Sequence, residues 1–141
     1  MRRIVVLVAF LALVAAAPAG ASVKSPCALV TAANATKALG VTVPASTPEK
    51  LGLYEACTYA SGGKRLTVLV RGLTRTVFDL SAKSNPGPVV HVSGIGSDAY
   101  SAAGPTLLLW KSGTEVTVLA TGVANALTVE ESLGRTAASR L

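Results

Sequence analysis

His91, Ser93 and Asp98 lie in one short stretch and are the residue types of a hydrolytic triad. Such a triad needs the imidazole on the hydroxyl and a carboxylate on the other ring nitrogen. His91 and Ser93 are two apart on an extended segment and share a face. That spacing does not by itself set the ring on the hydroxyl. No G-x-S-x-G elbow or oxyanion loop accompanies them. The reading adopted is a strand-edge histidine and an aspartate closing a turn, and the chain is not expected to be an enzyme. A metal centre assembled from His91, Asp98 and either Asp79 or Glu115 has no supporting ligand spacing. With one His and two Cys, zinc fingers and iron–sulfur clusters are excluded. Gly94 and Gly96 lack the third glycine and immediate helix of a dinucleotide-binding loop, so they are read as a structural turn. No metal or other cofactor is expected.

Lys64, Arg65, Arg71 and Arg75 form a basic stretch with no acid between Lys64 and Arg75. The ordinary reading is a solvated strand face that discourages edge-to-edge pairing. The functional reading is a docking patch for an anionic envelope polymer, lipid head groups or an acidic protein partner. Nucleic acid is set aside, because the aromatics after the first 21 residues (Tyr54, Tyr59, Phe78, Tyr100 and Trp110) are scattered rather than interleaved with the basic residues. Tyr100 and Trp110 are expected to pack, with their polar tips at the rim.

The 141 residues carry 13 basic and 7 acidic side chains, net +6, and half of all residues are hydrophobic, which excludes general disorder. Met1-Arg2-Arg3, the uncharged apolar run from Ile4 to Ala17, Pro18 and then Ala19-Gly20-Ala21 have the layout of a cleavable secretory signal. Cleavage is expected between Ala21 and Ser22, leaving one secreted domain over 22–141, with net charge +4 once Arg2 and Arg3 are gone. The apolar run is shorter than the ~20 residues of a membrane span. Cys27 is preceded by Lys24-Ser25-Pro26 rather than a lipobox, so no lipid anchor is expected. In an oxidising compartment, two cysteines thirty positions apart favour a structural disulfide between Cys27 and Cys57 over a C-x-x-C redox pair. Chain entropy gives such a loop roughly 3–4 kcal/mol.

The elements that must position these residues follow from pattern. Thr31 caps a helix to Leu39 that Gly40 stops. Pro44 to Lys50 reads as a loop. Leu53 to Ala60 and Lys64 to Arg71 form a hairpin, with Leu66, Val68 and Val70 on one face. Thr76-x-x-Asp79 starts a helix whose Val77, Leu80 and Phe78 face the core, ended by Asn85-Pro86-Gly87-Pro88. Strands follow over Val89 to Val92, Asp98 to Ala102, Thr106 to Lys111 and Thr114 to Thr121, the last two joined at Ser112-Gly113. Thr128-Val129-Glu130-Glu131 reads as the capping box of a final helix. Val129, Leu133, Ala137 and Leu141 form its apolar stripe, Glu130 and Glu131 complement its dipole, and Gly134 weakens it. Short links require antiparallel pairing. The fold class is α+β: a twisted antiparallel sheet of about five or six strands packed against two or three helices, with one disulfide.

Pro26-Cys27-Ala28-Leu29-Val30-Thr31 with Ala38-Leu39-Gly40, then Cys57-Thr58-Tyr59, then Gly94-Ile95-Gly96-Ser97-Asp98-Ala99-Tyr100, and finally the hairpin from Trp110 to Val118, resemble a family of actinobacterial secreted proteins and lipoproteins of unknown function. The resemblance implies the Cys27–Cys57 bridge, the α+β fold and an envelope or extracellular location. It implies no catalytic residues. The expected function is a non-enzymatic secreted or envelope-associated binding or accessory domain. The alternatives are an extracellular enzyme inhibitor, presenting Pro44 to Lys50 or Asn85 to Pro88, and a hydrolase using His91.

Overall fold

The computed structural model describes residues 22–102, 104 and 106–141, so the expected signal over residues 1–21 lies outside the described residues. No helix among the described residues is long and apolar enough to cross a membrane.

The α+β class stands, with seven strands and four helices among the described residues rather than five or six and two or three. α1 (Pro26–Leu29) is a single turn with Pro at its start. α2 (Ala32–Leu39) begins at Thr31, whose side chain accepts the Asn34 N–H while Asn34 reaches back to the Thr31 N–H; Gly40 closes it in the left-handed region. β1 (Glu49–Leu51) begins inside the Pro44 to Lys50 segment expected as a loop; its three exposed residues pair with β2 (Tyr54–Ser61) at the sheet edge. β3 (Lys64–Gly72) follows. Then come α3 (Arg75–Lys83), β4 (Val90–His91), β5 (Asp98–Ala102), β6 (Thr106–Lys111), β7 (Thr114–Thr121) and α4 (Ala126–Arg140). β4 is two residues long rather than the four expected over Val89 to Val92.

All pairings are antiparallel in the order β1-β2-β3-β7-β6-β5-β4. The sheet is thus two meanders that meet where β3 lies against β7. One face carries Leu66, Val68, Leu107, Leu109, Val116 and Val118 under α1, α2 and α4. Cys27 and Cys57 are bonded on this side, with Cα atoms 5.3 Å apart, and tie α1 to β2. Tyr59 is buried beside them and donates to the Val30 carbonyl at 2.6 Å. On the opposite face α3 packs against β6 through a smaller cluster of Phe78, Leu108 and Ala102, and Arg71 of β3 donates to its Ser81 at 3.2 Å.

The expectations for α3 and α4 are corrected in five respects. α3 is capped by Thr74, not Thr76, because the Thr74 hydroxyl accepts the Val77 N–H. Phe78 and Ala82, four apart on one face of α3, are buried, while Val77 and Leu80 are exposed and do not face the core. α4 starts two residues before Thr128, after Asn125 in the left-handed region, and no side chain caps it. Glu130 is therefore not a capping or dipole residue. It is fully buried on α4 with Leu133 and Ala137. Gly134 is no defect either: a Cβ there would lie 2.4 Å from Leu107 Cδ2, so glycine permits the close approach of α4 to β6.

Candidate functional site

The α3 side of the sheet carries a polar ladder that the register builds. Asp98 is paired with Trp110, Trp110 with Glu115, and Glu115 with Arg71, across β5, β6, β7 and β3. The Glu115 carboxylate, 1% exposed, receives Arg71 through Nε at 3.1 Å and Nη2 at 3.0 Å. The Tyr54 hydroxyl donates to the same carboxylate at 3.2 Å, and the Arg71 guanidinium lies 4.6 Å from the Tyr54 ring centre. A forked arginine on a carboxylate with an aromatic beneath is a preorganised pair. Burial, then the Glu115 charge, push the Tyr54 hydroxyl above its ordinary pKa, and Arg71 offsets part of this.

At the other end of the ladder the 7% exposed Asp98 holds Arg75 at 2.5 Å on one oxygen and His91 Nε2 at 2.9 Å on the other. Arg75 also faces Asp79 at 3.8 Å and lies 5.7 Å from the Trp110 ring centre. The Tyr100 hydroxyl reaches Asp98 at 3.5 Å, and its ring meets His91 edge-on. Burial first, then Asp98 and Asp79, push the Tyr100 hydroxyl up. Trp110 donates to the Leu73 carbonyl at 3.1 Å. Tyr100 and Trp110 thus pack under α3 against Phe78 and Leu108.

His91 and Asp98 therefore meet, as two members of a triad would. Ser93 makes no hydrogen bond to His91 among the described residues, and His91 is 59% exposed on the edge strand β4. Glu115 stands with Arg71 rather than with His91. Among the described residues no group of three or more His, Cys, Asp or Glu is arranged to hold a metal ion. Gly94 and Gly96 turn the chain with φ of 76° and 61°, and a Cβ on Gly96 would lie 2.9 Å from the Trp110 carbonyl oxygen.

The basic stretch divides. Arg71 and Arg75 are paired within the ladder. Lys64 points to the helical face and donates to the Leu39 carbonyl at 2.7 Å, at the end of α2. Arg65 is exposed on the opposite face, beside Gly62 and Gly63 of the β2–β3 turn and paired in register with Thr121. These residues and Ser61 line a shallow recess of about 390 Å³. Of the five described arginines, Arg65 alone has no hydrogen bond or ion pair among the described residues.

No protein-family profile, curated protein or solved structure matches this chain.

Two features escaped the sequence reading. A groove of about 310 Å³ runs between α2 and α4, with Lys37, Thr128 and Ser132 at its rim and Ala38, Val129 and Leu133 among its lining. Glu130 accepts the Ala120 N–H at 2.8 Å. Its second oxygen is buried without a partner among the described residues, and burial pushes its pKa up to about 7, with the Ala120 N–H pulling it back in part. Its spacing to Leu133, Gly134 and Ala137 is the signal that places it on the inward side of α4.

Proposed function

We propose that this chain is an exported, non-enzymatic domain of the cell envelope that binds an anionic polymer at the β2–β3 hairpin end of its sheet. The observation that carries the reading is Arg65. It is exposed at a recess, while Lys64 is turned to the other face on the Leu39 carbonyl and the other described arginines are engaged within the fold. A single rim cation contributes little, but a polymer repeats its charge and multiplies weak contacts. The Cys27–Cys57 bridge is compatible with the oxidising compartment that export implies. Membership of the actinobacterial secreted-protein family is part of the same proposal and rests on the Cys27, Cys57 and Gly94-to-Tyr100 motifs.

The test is binding of the disulfide-intact protein to a polyglycerol-phosphate polymer at low and physiological salt. Arg65→Glu is expected to weaken binding about fivefold, with wild-type binding falling as salt rises. Equal binding by Arg65→Glu, or no wild-type binding at low salt, removes the reading.

The hydrogen bond from His91 to Asp98 favours a second reading, an extracellular hydrolase using His91. Ester or amide turnover that disappears in His91→Ala would establish it in place of the first. An inhibitor would instead use the exposed segment between α2 and β1, and its sign would be co-purification with an extracellular hydrolase.

A further inference from the structure

Glu130 is the one fully buried acid on the helical face, and its surroundings are asymmetric. The β6 ladder ends where Thr106 pairs with Leu119, so Ala120 lies one residue past it. The Ala120 N–H is taken up by one Glu130 oxygen, and the other oxygen has no partner. Over residues 126–133 this is the single side-chain hydrogen bond from α4 to the sheet among the described residues. The start of the helix has no side-chain cap, and Leu127 is exposed. The far end is tied several times over. Lys111 donates to the Ala138 carbonyl at 2.6 Å, Arg140 to the Leu29 carbonyl at 2.7 Å and to Asn34 at 2.9 Å, and Lys24 to the Arg140 carbonyl. The loosely tied half is also the half that lines the α2–α4 groove, through Thr128, Val129, Ser132 and Leu133.

We infer that Glu130 is a proton-operated latch: its neutral carboxyl holds the N-terminal half of α4 on the end of β7, and its ionisation frees that half and widens the α2–α4 groove. An ionised carboxylate here leaves a charged oxygen in an apolar layer with no cation among the described residues to pair it, a far greater cost than a neutral hydroxyl in the same place. Charged groups on the elements packed around α4 are engaged elsewhere or directed away. Lys111 is on the Ala138 carbonyl and Lys64 on the Leu39 carbonyl. Glu115 is with Arg71 on the opposite face, where Arg65 also lies. Within α4, Glu131 is paired with Arg135, and Arg140 is bound to α1 and α2. Lys37 stands exposed at the groove rim, and α1 has no charged residue.

The experiment is hydrogen exchange of the disulfide-intact protein at about pH 5.5 and about pH 8.5, corrected for the intrinsic pH dependence of exchange, with carboxyl NMR of Glu130 alongside. Protection of the amides at 126–134 is expected to fall about tenfold or more in the wild type as pH rises. In Glu130→Gln it is expected to stay flat. The Glu130 carboxyl should titrate with a midpoint near pH 7, a readout that does not depend on the variant folding. A midpoint in the ordinary carboxylate range, unchanged wild-type protection, or the same fall in Glu130→Gln would overturn the latch.

Discussion

The two faces of the sheet treat buried acids in opposite ways. On the α3 face, Glu115 and Asp98 are each met by an arginine, with Tyr54 or His91 completing the contacts. On the face covered by α1, α2 and α4, Glu130 is buried among aliphatic side chains with one backbone N–H for company. Burial is similar, but the partners differ. The first arrangement keeps charge inside the fold in stable pairs, and the second makes an acid that charges reluctantly. The difference also bears on the proposed polymer binding, because the cations engaged under α3 are held by the fold and Arg65 is left over.

The largest expected effect comes from breaking the paired face. Arg71→Ala leaves Glu115 buried without its cation and should destabilise the protein by about 3–5 kcal/mol in denaturant unfolding. A loss under 1 kcal/mol would mean that Glu115 is solvated in the native state. On the aliphatic face, replacing both Cys27 and Cys57 by Ser removes a thirty-residue closed loop. The expected loss is roughly 3–4 kcal/mol, readable also as the fall in midpoint when the wild type is reduced. Gly134→Ala drives a methyl into Leu107 and should cost about 1–3 kcal/mol, although alanine is the better helix former. A stabilised Gly134→Ala protein would show that α4 can shift off β6 freely. The smallest effect is at the exposed end of the ladder, where His91→Ala should change stability by under about 1 kcal/mol at neutral pH.

Much of this contrast could be read only in part from the chain. β5, β6 and β7 have the bounds their patterns predicted, because glycine-containing turns punctuate the chain between them, and β7 is in addition rich in β-branched residues. The helix starting at Thr31 was legible from its cap and its terminal glycine, and the disulfide from the count of cysteines. α1 and β1 were not, because four- and three-residue elements carry no period to detect. The pairing of Arg71 with Glu115 was hidden for a different reason. It depends on β3 lying beside β7, a contact between residues 44 apart that no short link announces. Glu130 was masked by its position near a helix start, where an acid ordinarily serves the dipole. Gly134 was misjudged because propensity describes a helix alone, while its role lies in what the helix packs against.

The unpaired acid on the aliphatic face is tested most directly by the unfolding free energy of the wild type minus that of Glu130→Gln, followed from about pH 4.5 to pH 8. A carboxyl whose folded pKa of about 7 exceeds its ordinary 4.5 binds more protons folded than unfolded between those values. Its stabilisation is therefore complete below about pH 4.5 and is lost as pH rises toward 7. The difference should fall by about 3 kcal/mol across that window and then level off. A difference that stays flat, or that grows with pH, would contradict the account.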